Sequence, residues 1–182
     1  RKGESSMTGL VDAHFHIWRQ ADLPWLLGPM QPRIFVPYEP IRRDYPVEEY
    51  LADCRPEGIT EAVYVQANWA PERALDEVRF VAESARRAAF PIAIVAYADM
   101  LAEDIRPQLD ALTAEPSVRG VRMQLHWHDN PLYRFAQSPD LARDPLLQRN
   151  VARLADYDWS FDLQVFAGQM AGAAELAMAC PS

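Results

Sequence analysis

Leu10-Val11-Asp12-Ala13-His14-Phe15-His16-Ile17-Trp18 is the stretch on which both the fold and the chemistry turn. As a strand it places Val11, Ala13, Phe15 and Ile17 on one face and Asp12, His14, His16 and Trp18 on the other. A strand this apolar belongs in a core. A core strand that spends three same-face positions on Asp, His and His needs partners for them. The two imidazoles stand roughly 7 Å apart at Cα, from about 3.3 Å of rise per residue, so both rings can lean towards one ion or one substrate atom. The plainer alternative is that each ring bonds to neighbouring backbone or to a carboxylate.

Outward from this strand the chain alternates strand and helix. Residues 19–45 carry five prolines (Pro24, Pro29, Pro32, Pro37 and Pro40) but are too apolar for a disordered linker, so they read as a lid or binding loop. Within it Trp25 and Phe35 either line a pocket or anchor the loop. Pro46 then opens a helix with Tyr50, Leu51 and Cys54 on one side and Gly58 as its stop. Residues 62–68 form a second strand, and Pro71 opens a helix with Leu75, Val78, Ala82 and Ala85 at helical spacing before Pro91. Residues 92–99 are a nearly continuous apolar strand, followed by a helix carrying Ile105, Leu109 and Leu112. Residues 118–128 are the fourth strand. Asp144 caps a helix that begins at Pro145 and carries Leu147, Val151 and Leu154, and the fifth strand (161–166) and last helix (169–179) follow. Five strand–helix units imply an α/β fold with a parallel sheet and right-handed crossovers, either doubly wound or a barrel. No Gly-x-Gly-x-x-Gly follows any strand, and the chain has only 7 glycines, which disfavours a nucleotide-binding open sheet.

The 182 residues are 49% hydrophobic and 24% charged, enough to bury a sizeable core in one domain. Net charge is -8 and the 18 basic residues are scattered, which argues against nucleic acid or an anionic membrane as partner and for a small molecule. No apolar run suffices to span a membrane, and residues 1–6 lack the apolar core of a signal peptide. A cytoplasmic protein starting at Met7, with residues 1–6 a remnant of expression, is the expectation. Cys54 and Cys180 lack paired spacing and read as reduced packing residues.

In either architecture ligands bind at the carboxyl ends of the strands. The first strand brings Asp12, His14 and His16 there, the second Gln66 and Asn68, and the third Asp99. On the fourth, alternation sets Arg122, Gln124, His126 and His128 opposite Val121, Met123, Leu125 and Trp127. All four histidines of the chain thus lie in two strand-borne His-x-His pairs. Each candidate has a structural reading beside the functional one. Arg122 can pair with a carboxylate such as Asp99, Gln66 and Asn68 can satisfy backbone groups, and one of His126 and His128 can be merely solvated. Trp18, Trp69 and Trp127 are packing residues first.

Taken in order, Asp12-Ala-His-x-His-x-Trp18, Tyr64-Val-Gln-Ala-Asn68, Ile94-Val-Ala-Tyr-Ala-Asp99, Gly120-Val-Arg122, Trp127-His128, Ser160-Phe-Asp-Leu-Gln164 and Gln169-Met170 resemble the amidohydrolase-related (amidohydrolase 2) family. This family includes sugar-lactone and pyrone-dicarboxylate lactonases. The resemblance implies a (β/α)8 TIM-type barrel that opens a lactone or related ester by attack of an activated water. It implies that His14 and His16 bind a divalent metal, zinc first, or the substrate carbonyl, and that Arg122 grips substrate oxygen. It implies substrate contacts from Gln66, Asn68, Asp99, Gln124, His126 and His128. A metal-free version would use an Asp base with His and Arg polarising the carbonyl.

The chain departs from the pattern in two places. Where the family reads Pro-His-Gln-Met, this chain reads Ala167-Gly168-Gln169-Met170, one histidine ligand fewer. A closed barrel takes about 250 residues, so residues 7–182 are expected to be the N-terminal part of one domain, a partial barrel of about five β/α units. The general base would then belong to the sixth to eighth strands. Such a chain is expected to be a fragment of a longer protein, or a truncation that pairs with another chain or a second copy of itself, or that survives as an open sheet with an exposed edge. The alternatives to a lactonase are a catalytically incomplete barrel that binds a small ligand or serves in assembly, and a decarboxylase or dehydratase of the same superfamily.

Overall fold

The computed structural model describes residues 9–33 and 37–180. The expectations for Met7 and the six residues before it, and for Phe35, lie outside the described residues. Five strands, β1 (Leu10–Phe15), β2 (Ile59–Val65), β3 (Ile92–Ala96), β4 (Val118–Val121) and β5 (Ser160–Phe161), pair in parallel and in chain order. That order decides between the two architectures. Right-handed crossovers that always step to the next strand in the same direction put every helix on one side and curl the sheet, whereas a doubly wound sheet reverses direction at a switch point. The five strands make half of a barrel. The short α1 (Pro24–Leu27) lies in the loop after β1, and α2 (Val47–Cys54), α3 (Ala74–Ala88), α4 (Arg106–Leu112), α5 (Pro145–Ala152) and α6 (Met170–Ala179) follow in alternation with the strands.

The helices form where periodicity and caps agree. The Asp144 carboxylate accepts from the N–H groups of Leu146 (2.8 Å) and Leu147 (3.3 Å), with Pro145 at the first helical position. Beyond α2 a 3-10 turn closes at Gly58, whose φ of 79° is left-handed and free of penalty only without a Cβ. Tyr64, Ile94, Leu109 and Leu147 are fully buried members of the core.

The strands are shorter than alternation suggests. The β4 ladder stops at Val121 and β5 has two residues, although the chains run on side by side: Asp162 N–H donates to Val121 O (2.9 Å) and Leu125 N–H to Gln164 O (3.1 Å). At Gly120 a Cβ would stand 2.4 Å from Ser160 Oγ, so the close approach of β4 and β5 requires glycine there.

β1 departs from strict alternation. Asp12 pairs with Ala62 but Phe15 with Tyr64, so three steps on β1 oppose two on β2. Ala62 and Tyr64 share the helix-facing side, where Tyr64 OH donates to Glu77 of α3 (2.7 Å). The bulge therefore turns Asp12 to that side too, and its carboxylate accepts from Tyr50 OH of α2 (3.0 Å) instead of joining the histidines. Nor is the strand wholly buried: it is a sheet edge, and Leu10 and Val11 are 58% and 55% exposed. Among the described residues no helix is long and apolar enough to cross a membrane.

Candidate active site

Past the bulge, His14 and His16 turn their rings towards each other, with Nε2 to Nε2 at 3.2 Å and centroids 4.9 Å apart. The partner of His16 fixes its tautomer. Nδ1 lies 2.7 Å from the Val65 carbonyl oxygen, which can only accept, so Nδ1 carries the proton and Nε2 of the neutral ring presents a lone pair. Burial lowers the His16 pKa to about 4, the Val65 carbonyl opposing that fall and the charges of His14 and Arg122 adding to it. A neutral, backbone-oriented imidazole is the form that ligates metals. The Nε2 separation also suits a shared ion. Two nitrogens at about 2.0–2.1 Å from a tetrahedral zinc stand about 3.3 Å apart. Among the described residues no group of three or more His, Cys, Asp or Glu side chains gathers as a metal site, so this pair supplies two donors and no third is found there.

Arg122 is 7% exposed; its charge acts on His16, and its guanidinium bonds Gln164, a residue that lines a cavity. Its Nη2 donates to the Gln66 carbonyl (2.6 Å) and its Nη1 to Gln164 Oε1 (3.4 Å). The alternative in which Arg122 pairs with Asp99 is not the one found: the Asp99 carboxylate accepts from Leu101 N–H (3.0 Å). Desolvation lowers the Arg122 pKa, with Asp162 and Glu77 opposing, yet guanidinium stays charged. Arg122 thus brings a buried positive charge that neither Asp99 nor the pair neutralises.

The cavity, about 570 Å³, opens at the carboxyl ends of β2 and β4. Asn68, Gln124 and His126 line it, together with Trp25, Trp69 and Gln164. Trp25 does both things expected of it, donating to the Ala67 carbonyl (3.1 Å) while lining the wall. The loop carrying it is closed at its base by a Trp18–Tyr45 bridge. Three predicted contacts fall elsewhere. Gln66 is buried and its side-chain oxygen accepts from Asn68 N–H (2.7 Å), so it shapes the β2 end and does not face the cavity. Asp99 is spent on the turn after β3. His128 is exposed, its Nδ1 accepting from Asn130 N–H (2.9 Å). A larger concavity, about 900 Å³, lies against β5, α5 and α6 and holds none of the predicted residues.

Sequence reading missed two buried polar residues that hold the site in shape. Glu77 Oε1 accepts from Tyr64 OH (2.7 Å) and Ala67 N–H (2.5 Å), fixing the end of β2. Gln169 bonds four backbone groups: Trp127 N–H (2.8 Å) and Phe166 N–H (3.1 Å) donate to Oε1, and Nε2 donates to the carbonyls of Leu125 (2.9 Å) and Pro139 (3.1 Å). Gln169 carried a signal, a polar residue among Ala167, Gly168, Met170 and Ala171, whereas Glu77, next to Asp76 in the charged first turn of α3, carried none.

The amidohydrolase family model matches residues 11–182. The chain belongs to the amidohydrolase family. An uncharacterized protein of Sinorhizobium fredii is 30% identical over 177 residues, 94% of this chain and 59% of that protein. An L-fucono-1,5-lactonase of Burkholderia ambifaria is 24% identical over 159 residues, 87% of this chain and 49% of the lactonase. Among solved structures, an amidohydrolase from Burkholderia multivorans with bound zinc superposes with a TM-score of 0.66 at 27% identity, over 92% of this chain and 53% of that one. This amidohydrolase chain therefore spans about half the length of the relatives it matches.

Proposed function

We propose that this amidohydrolase opens a small lactone by hydrolysis, with the reacting carbonyl held between the His14–His16 pair and Arg122. The observation that carries the reading is the convergence of two Nε2 atoms at 3.2 Å, one of them held as a lone-pair donor by the Val65 carbonyl. Their nitrogen chemistry and spacing fit a divalent ion, zinc by analogy with the Burkholderia multivorans amidohydrolase, as two of its ligands. When bound, such an ion polarises a carbonyl and lowers the pKa of water towards neutrality.

The chain's own residues do the rest. The Arg122 guanidinium, held by the Gln66 carbonyl and Gln164, is preorganised to receive the negative charge that develops on the carbonyl oxygen. Asn68 and Gln124, on the cavity wall, orient the ring by hydrogen bonds, and the aromatic walls exclude water. In the net reaction the oxygen of water joins the acyl carbon, the ring C–O bond breaks, and the ring oxygen leaves as a hydroxyl, giving a hydroxy acid. The lactonase of Burkholderia ambifaria supports this class of substrate.

The test is acid release from a panel of sugar and pyrone lactones by the protein at its full natural length. Turnover by the parent, with kcat/KM lowered about 100-fold or more by Arg122→Lys, is the expected result. Turnover that survives His14→Ala together with His16→Ala would contradict it. Binding of lactones without any hydrolysis would favour the non-catalytic alternative.

A further inference from the structure

The ladder between β2 and β3 ends at the Val65–Val95 pair, where Gln66 N–H donates to Val95 O (2.9 Å). From there side chains take over the backbone. Ala67 N–H donates to Glu77 Oε1 (2.5 Å) and Asn68 N–H to Gln66 Oε1 (2.7 Å), and Asn68 adopts a φ of 61°, in the left-handed region. A residue with a Cβ keeps that conformation where its surroundings enforce it. Three successive carbonyls of this run each accept from a different side chain of the site. Val65 O accepts from His16 Nδ1 (2.7 Å), Gln66 O from Arg122 Nη2 (2.6 Å) and Ala67 O from Trp25 Nε1 (3.1 Å). One ring of the histidine pair, the buried charge and the aromatic wall of the cavity therefore share one three-residue support, and a rotation of it moves all three.

Packing alone does not account for the group that fixes this support. Glu77 is 2% exposed and makes no salt bridge among the described residues, although it lies in the first turn of α3, where a carboxylate is well placed in water beside the helix N-terminus. Burying a carboxyl without a cation is costly, and a leucine would fill the space without that cost. What a leucine cannot do is accept hydrogen bonds. Glu77 Oε1 takes one from Tyr64 OH (2.7 Å), inside the strand, and one from Ala67 N–H, just beyond it, so a single oxygen spans the point where β2 leaves the ladder.

We infer that Glu77 is a positioning residue: by holding Ala67 N–H it sets the carbonyls of residues 65–67 and, through them, the orientation of His16, Arg122 and Trp25. Glu77 itself stands off the cavity wall. The inference rests on the reading of His16 and Arg122 as reacting groups, and it names what aims them.

Nitrogen-15 NMR of the histidine rings in the full-length, metal-free protein at pH 7, where His16 is neutral, reads the His16 tautomer. Hydrogen exchange of the Trp25 indole proton reads the other end of the same support. In Glu77→Leu, which keeps the volume and removes the acceptor, His16 should pass from a single tautomer protonated at Nδ1 to a mixture of two. The Trp25 indole proton should exchange about tenfold faster, as loss of one hydrogen bond implies. Glu77→Gln, whose amide oxygen can accept the same two bonds, should keep the parent values. Glu77→Asp is gentler on folding, draws the oxygen back by one methylene and should change both signals in the same direction, so it decides the matter if Glu77→Leu does not fold. His128, held by Asn130 N–H in the loop after β4, should keep its tautomer in every variant. Parent signals in Glu77→Asp, altered signals in Glu77→Gln, or changes that spread to His128 would overturn the inference. Since neither readout needs turnover, absent hydrolysis in the parent would sink the hydrolase reading and leave this one standing.

Discussion

At His16 a single backbone carbonyl determines which ring nitrogen is free, and that choice turns two histidines into a donor pair. The pair was legible in the sequence, because imidazoles two residues apart on a strand must share a side. The departure of Asp12 was not. A bulge depends on the register with β2, which lies almost fifty residues away and cannot be read locally. Glu77 is equally hidden, a carboxylate on the buried side of an otherwise ordinary amphipathic helix.

Glu77 makes a prediction of its own. Burial raises its pKa from 4.5 to about 7 against the hydrogen bonds from Ala67 and Tyr64. Between those values the folded protein keeps a proton that the unfolded chain has released, so the stabilisation is complete below 4.5 and lost as pH rises through 7. The fall amounts to about 3 kcal/mol at most. Urea unfolding across that range should show the decline in the parent and a flatter profile in Glu77→Gln. Parallel profiles would mean the carboxyl is not held protonated.

Among elements, the helices were the readable part. Their apolar positions recur at 3.6 residues, and Asp144–Pro145 announces the start of α5 by a cap whose hydrogen bonds are present. Asp144→Ala should cost about 1 kcal/mol of stability. Strand ends were harder, because the alternation of side chains continues through residues 122–128 after the ladder has stopped at Val121. What holds that continuation is Gln169, whose side chain joins the ends of the fourth and fifth strands to the start of α6. Gln169→Leu fills the space but strands four backbone groups, one in a buried bond and three in part-buried ones, and should cost about 3 kcal/mol, clearly more than the loss of the cap. Urea midpoints of the two variants compare them directly, and equal losses would remove Gln169 from this role.

On the scale of the whole molecule, alternating strands and helices implied the α/β class, the missing Gly-x-Gly-x-x-Gly disfavoured a nucleotide-binding open sheet, and the barrel came from the resemblance to the amidohydrolase family. The chain-order pairing of five parallel strands agrees with that choice. The cavity was foreseeable only in part. Asn68, Gln124 and His126 sit at strand ends where ligands are expected, but Arg33 and Trp25 reach the same wall from a loop whose path no periodicity encodes. What the account asks of the assembled site is that the two imidazoles act together on one ion. Zinc K-edge X-ray absorption on the zinc-loaded protein, beside its His14→Ala/His16→Ala variant, measures this most directly. The parent should show imidazole nitrogen scattering at about 2.0–2.1 Å that is lost in the variant. Identical spectra from the two proteins would contradict the central claim.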